Sequence, residues 1–433
     1  MRTMEDLNEG SRDERLAALS RRIAEGPTSP APLEEVNNHV HTFYSFSPYS
    51  PSAVAYMARQ AGLQAVGSVD HDSIAAAEEM LDAGKVAGIG TTVGFELRVN
   101  FTGTALEGRK INNPDSSNLA YMVVHGVPRG QIDRVAGFLL PIRERRNQRN
   151  QAQAAAMNTL LRDAGAPQVS WKDVVSLSRA GEGGSVTERH LLFAVSKALV
   201  AWKGRGESLR SWVEGNLTGT LPTRLAGFLD DPDNPHYEYD LLGSMKSTFL
   251  PRFFIQPDES ECIPVASVVE FGRSINAIPA YAYLGDVGES PTGDKKAAQF
   301  EDAYLDELFA ELTRTGFRAV TYMPPRNTAE QLGRVQSLCA KHGLMEISGV
   351  DINSSRQKFT CPEVMQPQFR HLVDSTWALI AHEKLADHDP SLSLFSEASA
   401  AGSTLSERIP RYAAVGKAMD RTRPELAYTL VDW

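Results

Sequence analysis

From Val36 onward, short apolar runs alternate with longer stretches whose hydrophobic residues recur every three or four positions. VNNHVH predicts a short strand, and SPSAVAYMARQAGL a helix that Ser52 can cap and Gly62 can end. AVGSVD is a second strand, Ser73 to about Gly84 a helix, and GTTVGFELRV a third strand. Strand and helix in quick alternation predict parallel strands joined by crossover helices, with the chemistry at the strands' C-terminal ends. Ahead of this pattern, Met1 to about Arg22 predicts an amphipathic helical arm with Leu16, Leu19 and Ile23 on one stripe, and EGPTSPAP a linker.

Between about Pro141 and Leu250 the alternation stops. A long Arg-, Gln- and Ala-rich helix, RERRNQRNQAQAAAMNTLLRDAG, opens this segment, and GEGGSVTERHLLFAVSKAL within it predicts a glycine-rich loop leading into a helix. After about Pro251 the alternation resumes: helix and strand in VASVVEFGRSINAIPAYAYL, a polar loop GDVGESPTGDKK, and the helix EDAYLDELFAELTRTGF. The strand AVTYM, the helix NTAEQLGRVQSLCAKHG and the strand LMEISGVDI follow. The organisation this predicts is an arm and linker at 1–34, a barrel in two parts at 35–140 and 251–366, a helical insertion at 141–250, and a helical C-terminal segment at 367–433. The fold class is α/β, a distorted (β/α)7 TIM-like barrel.

Composition narrows the function. With 42% hydrophobic and 23% charged residues, the 433-residue chain is that of an ordinary globular protein with a substantial core. The net charge of −10 gives no attraction to a phosphate backbone, so no nucleic-acid partner is expected. The cluster Arg143 to Arg149 is a local basic patch on a helix. Three dispersed cysteines, an N-terminal stretch charged throughout and no run of membrane-spanning length predict a cytoplasmic protein without a membrane partner. A homo-oligomer remains open.

Candidate chemistry begins at His39 and His41. Two residues apart on a strand, they face the same way and can present two imidazoles to one metal ion. A lone pair of this kind is more often a surface accident, but others accompany it at strand ends: Asp70-His71 in VDHDS, Glu96 in VGFELRV, His125 in YMVVHG and Asp351 in SGVDINS. Histidine, glutamate and aspartate recurring at successive strand ends are the donors of a metal centre. Arg189 and His190, at the start of a helix, suit an anion-binding edge or simply a solvated helix end.

This order of residues resembles the polymerase and histidinol phosphatase (PHP) domain family of metal-dependent phosphoesterases. His39-Val40-His41-Thr42 is similar to that family's opening His-x-His-Thr, Asp70-His71 to its Asp-His, Glu96 to its bridging glutamate, and His125 to its next histidine. Asp351 is similar to the aspartate of the closing Gly-Ser-Asp-x-His motif, and Thr187-Glu188-Arg189-His190 to the family's Arg-x-His or Arg-Pro-His turn. The resemblance implies a barrel with up to three zinc, manganese or iron ions at its mouth. His39, His41, Glu96 and Asp351 would hold the first ion, Glu96 and His125 would share in the second, and His71 would serve the third. Asp70 would orient His71.

The sequence departs from that pattern three times. Phe46 stands in place of an aspartate, Tyr283 in place of the histidine of an Ala-His-Pro strand end, and Asn353 in place of the closing histidine. Tyrosine and asparagine are poor zinc ligands. One to two divalent ions are therefore expected, the second completed by His190 or water. With two ions, the expected reaction is hydrolysis of a small phosphorylated metabolite by a hydroxide held between them. His71 and His190 would act in catalysis, and Arg189, His190, Arg326 and Asn353 would hold the substrate. With one ion, a lyase, isomerase or amide hydrolase with Tyr283 as acid or base is the alternative. A catalytically inactive regulatory protein is the third reading. Tyr281 is expected to fill the barrel; Tyr283 either packs or reacts.

Overall fold

The computed structural model describes residues 4–26, 34–113, 116–286 and 299–432. Most of the predicted linker and of the polar loop after Tyr283 lies outside these residues. Seven strands, β1 (Val36–Val40), β2 (Ala65–His71), β3 (Gly90–Asn100), β4 (Leu119–His125), β5 (Ile278–Ala282), β6 (Ala319–Tyr322) and β7 (Met345–Ser348), form one sheet in chain order. A parallel bridge between Val40 and Ile352 brings the chain beyond β7 back beside β1, so the sheet nearly closes. The result is the expected TIM-like barrel.

Its distortion has a local cause. β1, β2 and β3 pair in parallel, as the alternation predicts, but β4 is antiparallel to both β3 and β5. The connection between β3 and β4 contains no helix, so the chain turns back instead of crossing over. The barrel strands are buried along almost their whole length, which accounts for their continuous apolar character.

The helices differ from the sequence reading in detail. The helix Pro51–Gln60 is capped by Ser50, with Pro51 as its first residue; Ser52 instead donates to Glu79 at 2.7 Å. The helix Ala77–Ala87 ends at Gly88 in the left-handed conformation. The arm is two helices, Glu5–Asn8 and Arg12–Glu25, because Gly10 takes a positive φ and Ser11 starts the second with a capping box. Arg15 of that helix forms a fully buried ion pair with Glu79 at 2.6 Å, fastening the arm to the barrel.

The helix Ile132–Asp163 runs for 32 residues with Pro141 inside it, so the chain leaves the barrel part-way along a helix. Residues 154–253 gather a second apolar core around Met157, Leu161, Leu192, Leu199 and Leu241, separate from that of the barrel. Phe46, on the loop after β1, is buried in this second core. At the C-terminus, the helices His371–His388 and Leu405–Ala418 pack on each other. Among the described residues, no helix is long and apolar enough to cross a membrane.

Candidate metal centre

Three imidazoles converge on one oxygen. The Nε2 atoms of His39 and His41 lie 3.4 and 3.5 Å from Oε2 of Glu96, and Nδ1 of His71 lies 3.4 Å from the same atom. Asp351 places its Oδ1 3.4 Å from Nε2 of His41. The donor atoms of His39, His41 and Glu96 all lie within 4.8 Å of one another. The Nε2 atoms of His41 and His125 are buried without a hydrogen-bond partner. Buried polar atoms are rarely left unanswered, and imidazoles and carboxylates clustered so closely are the donor set of a divalent cation. The residues fit such an ion.

The neighbouring chain holds these side chains in place. His41 follows β1, and its amide donates to Ile352, whose own amide donates back to His39. Asn37 accepts from the amides of His39 and Val350, clamping the histidine strand to the segment that carries Asp351. Gly349 makes this approach possible: a Cβ there would stand 2.5 Å from the amide nitrogen of His39. Asp70 serves a role different from the one the sequence implies. Rather than orienting His71, it accepts from the amide and hydroxyl of Thr42 and from Ser45 at 2.6 to 2.7 Å. The Ser45 hydroxyl, whose O–H donates to Asp70, lies 3.4 Å from Nδ1 of His41 as an acceptor. That leaves the lone pair of His41 on Nε2, the atom facing Glu96 and Asp351.

The electrostatics keep most of these imidazoles neutral, the form that binds metal. Burial pushes His125 down to about 3, helped by the charge of His39. His71 is held well below its ordinary value by burial, then by His41, Arg146, Arg189 and Arg98. His41 is lowered by burial, against the pull of Asp351 and Glu96. His39 differs: burial lowers it, but its hydrogen bond to Glu96 and the Glu96 and Asp351 charges leave it raised.

Beside the cluster stands a network that the sequence reading passed over. Arg98 pairs with Glu188 and Glu261, Arg149 with the same two carboxylates, and Arg146 with Glu188 and Asp72. These pairs join β3, the helix Ile132–Asp163 and the helix Glu188–Lys203, so the barrel strand carrying Glu96 is fastened to the insertion. Two signals for it lie in the sequence. Arg98 stands two residues beyond Glu96, on the same strand face, and Arg146 and Arg149 are spaced for one helix face inside the local basic patch Arg143 to Arg149.

The remaining predicted site residues are placed as follows. His190 sits at the third position of its helix, and the Thr187 amide donates to its Nδ1 at 2.9 Å. An N–H can only donate, so the ring proton is on Nε2, and His190 offers a donor rather than the second-site ligand expected of it. Burial, with Arg146 nearby, pushes it down to about 3. Phe46 packs edge-on against this ring at 5.0 Å, and Arg189 lies over Phe46 at 5.9 Å. Asn353 gives its side-chain amide to Oδ1 of Asp351 at 2.5 Å. Tyr283 donates to Asp302 at 2.5 Å, and Tyr281 to Glu301 at 3.1 Å; burial, with those carboxylates beside them, raises both phenols. A phenol so engaged is a packed structural group, and the acid or base role expected of Tyr283 finds no contact with the histidine cluster. Arg326 donates to the carbonyl of Leu284.

No family model matches the chain, and no curated protein matches it. Solved structures resemble it, among them these two. One, assigned as a metal-dependent phosphoesterase, is from Bifidobacterium adolescentis, with 18% identity, a TM-score of 0.49, and coverage of 80% of this chain and 98% of that one. The other is an amidohydrolase from Chromobacterium violaceum with sulfate bound and no metal, with 16% identity, a TM-score of 0.49, and coverage of 79% and 96%.

Proposed function

We propose that this protein is a metal-dependent hydrolase of the PHP type that cleaves a phosphoester of a small metabolite. The observation that carries the reading is the meeting of His39, His41 and His71 at one oxygen of Glu96, with Asp351 beside them. His39, His41, Glu96 and Asp351 would hold a first divalent ion, Glu96 and His125 would share in a second, and His71 would offer a further donor. Zinc, manganese and iron all suit imidazole with carboxylate. A bound divalent ion would supply Lewis acidity and lower the pKa of water.

The chain's own residues do the rest. Access is from the side of Asp351 and His71, whose side chains are 36% and 23% exposed against 1% for His41. On that side the cationic residues favour an anionic substrate. Arg98, Arg146 and Arg149 are matched by Glu188, Glu261 and Asp72, but Arg189 has no carboxylate partner among the described residues, and its charge is felt by both His71 and His190. Arg189 and the Nε2 proton of His190 are therefore suited to a phosphoryl group. The Phe46 ring, at the position where the resembled family has a carboxylate, offers no metal donor, which favours fewer ions.

The test is hydrolysis of a panel of small phosphoesters by protein loaded in turn with zinc, manganese and iron, read as phosphate release from monoesters and as alcohol release from diesters. Release that disappears in His39→Ala supports the reading. No release from any ester by fully loaded protein would sink it.

A further inference from the structure

Strand register places one more side chain at the reacting end of the barrel. On β3, Glu96 and Arg98 point to the same face; on β4, Val123 lies opposite Glu96 and Tyr121 opposite Arg98. The layer containing Glu96 and Val123 is thus followed, one pleat nearer the C-terminal end of β3, by a layer containing Arg98 and Tyr121. The Tyr121 ring lies 5.9 Å from that of His71. Arg98 is occupied by Glu188 and Glu261. Tyr121 is not so occupied.

Among the described residues, the hydrogen bonds that Tyr121 makes outside the sheet ladder come from its backbone, to the side chain of Asn112 on both sides. Its hydroxyl makes none. The contrast with the other barrel tyrosines is direct: Tyr281 donates to Glu301, Tyr283 to Asp302 and Tyr322 to Glu346. The side chain of Tyr121 is also only partly buried, unlike those three. A phenol whose O–H has no partner among the described residues, on a backbone braced by Asn112 and beside a histidine of the cluster, is a preorganised donor.

We propose that the Tyr121 hydroxyl is a substrate-binding donor that holds a phosphoryl oxygen beside His71. The assignment rests on the phosphoester reading of the site and names a contact which that reading does not include. It makes the phosphate pocket two-sided, with Tyr121 of β4 on one wall and Arg189 of the insertion on the other.

The experiment is calorimetric titration of inorganic phosphate into metal-loaded wild-type protein and Tyr121→Phe, with metal content and melting temperature measured on both. The substitution removes only the hydroxyl. The expected result is equal metal content and melting temperature, with phosphate bound about tenfold or more weakly by the variant, the scale of a lost hydrogen bond to a charged group. Equal phosphate affinity in the two proteins overturns the role of Tyr121 and leaves the phosphoester reading standing. A metal-loaded wild-type protein that binds no phosphate overturns that reading, and the Tyr121 contact with it.

Discussion

The side-chain amide of Asn353 donates to Oδ1 of Asp351 at 2.5 Å, and the backbone of the same asparagine is held by Gln357 at 2.7 Å. The asparagine thus stands behind the carboxylate and aims it, its amide satisfying one lone pair and leaving the others toward His41. Asn353 acts here as a support for the Asp351 carboxylate. Removing such a support typically weakens metal affinity by about 10- to 100-fold. Asn353→Ala should show this in chelator competition while its helix content stays unchanged; an affinity equal to wild type would contradict the account.

Glu188 is central to the ion-pair network that joins the insertion to β3. Burial pushes its carboxyl up, but Arg146, Arg98 and Arg149 outweigh it and hold it well below the usual range. Glu188→Gln would leave three arginines short of one negative charge, a loss on the order of 3 kcal/mol for a mostly buried network. Urea unfolding should show that loss, and the adjoining Arg189 and His190 should lose their fixed position. A change below about 1 kcal/mol would show the network to be solvated in effect.

Acid should destabilise the fold through histidines outside the cluster as well. His382 is buried, accepts from the Leu394 amide at 3.0 Å, and is pushed down to about 4 by burial. Its folded value lies below the unfolded one, so between about pH 6.5 and 4 the unfolded chain binds a proton that the native chain does not. Stability is therefore full above that window and falls as pH drops through it, by about 1.4 kcal/mol per pH unit for this one group. His190 adds to the slope in the same direction. Denaturant midpoints from pH 7 to 5 should fall more steeply for wild type than for His382→Gln, and parallel curves would contradict this.

The barrel was legible because its strands are short apolar runs set between periodic helices. The His-x-His pair was legible because strand parity needs nothing beyond the sequence. Two things were not. The reversal of β4 depends on a connection that forms no helix, and the apolar run LAYMVVH has the same pattern in either direction. The partners of polar side chains were hidden too, since they come from distant segments: Asp70 turns to Thr42 and Ser45, Asn353 to Asp351, and Arg146 to Asp72 and Glu188. Sequence spacing shows which residues share a face; it does not show which of them is already bonded. That distinction separates Tyr283, tied to Asp302, from Tyr121, whose hydroxyl has no partner among the described residues.

The most direct test of the central claim is the divalent metal content per chain, by element, after loosely bound ions are removed, for wild type and Glu96→Ala. Glu96 is the carboxylate on which three histidines converge. The account predicts one to two ions of zinc, manganese or iron per wild-type chain and a loss of most of that metal from the variant, with both proteins folded. A wild type that retains no metal after loading, or a variant that retains all of it, would contradict the assignment of this cluster as a metal centre.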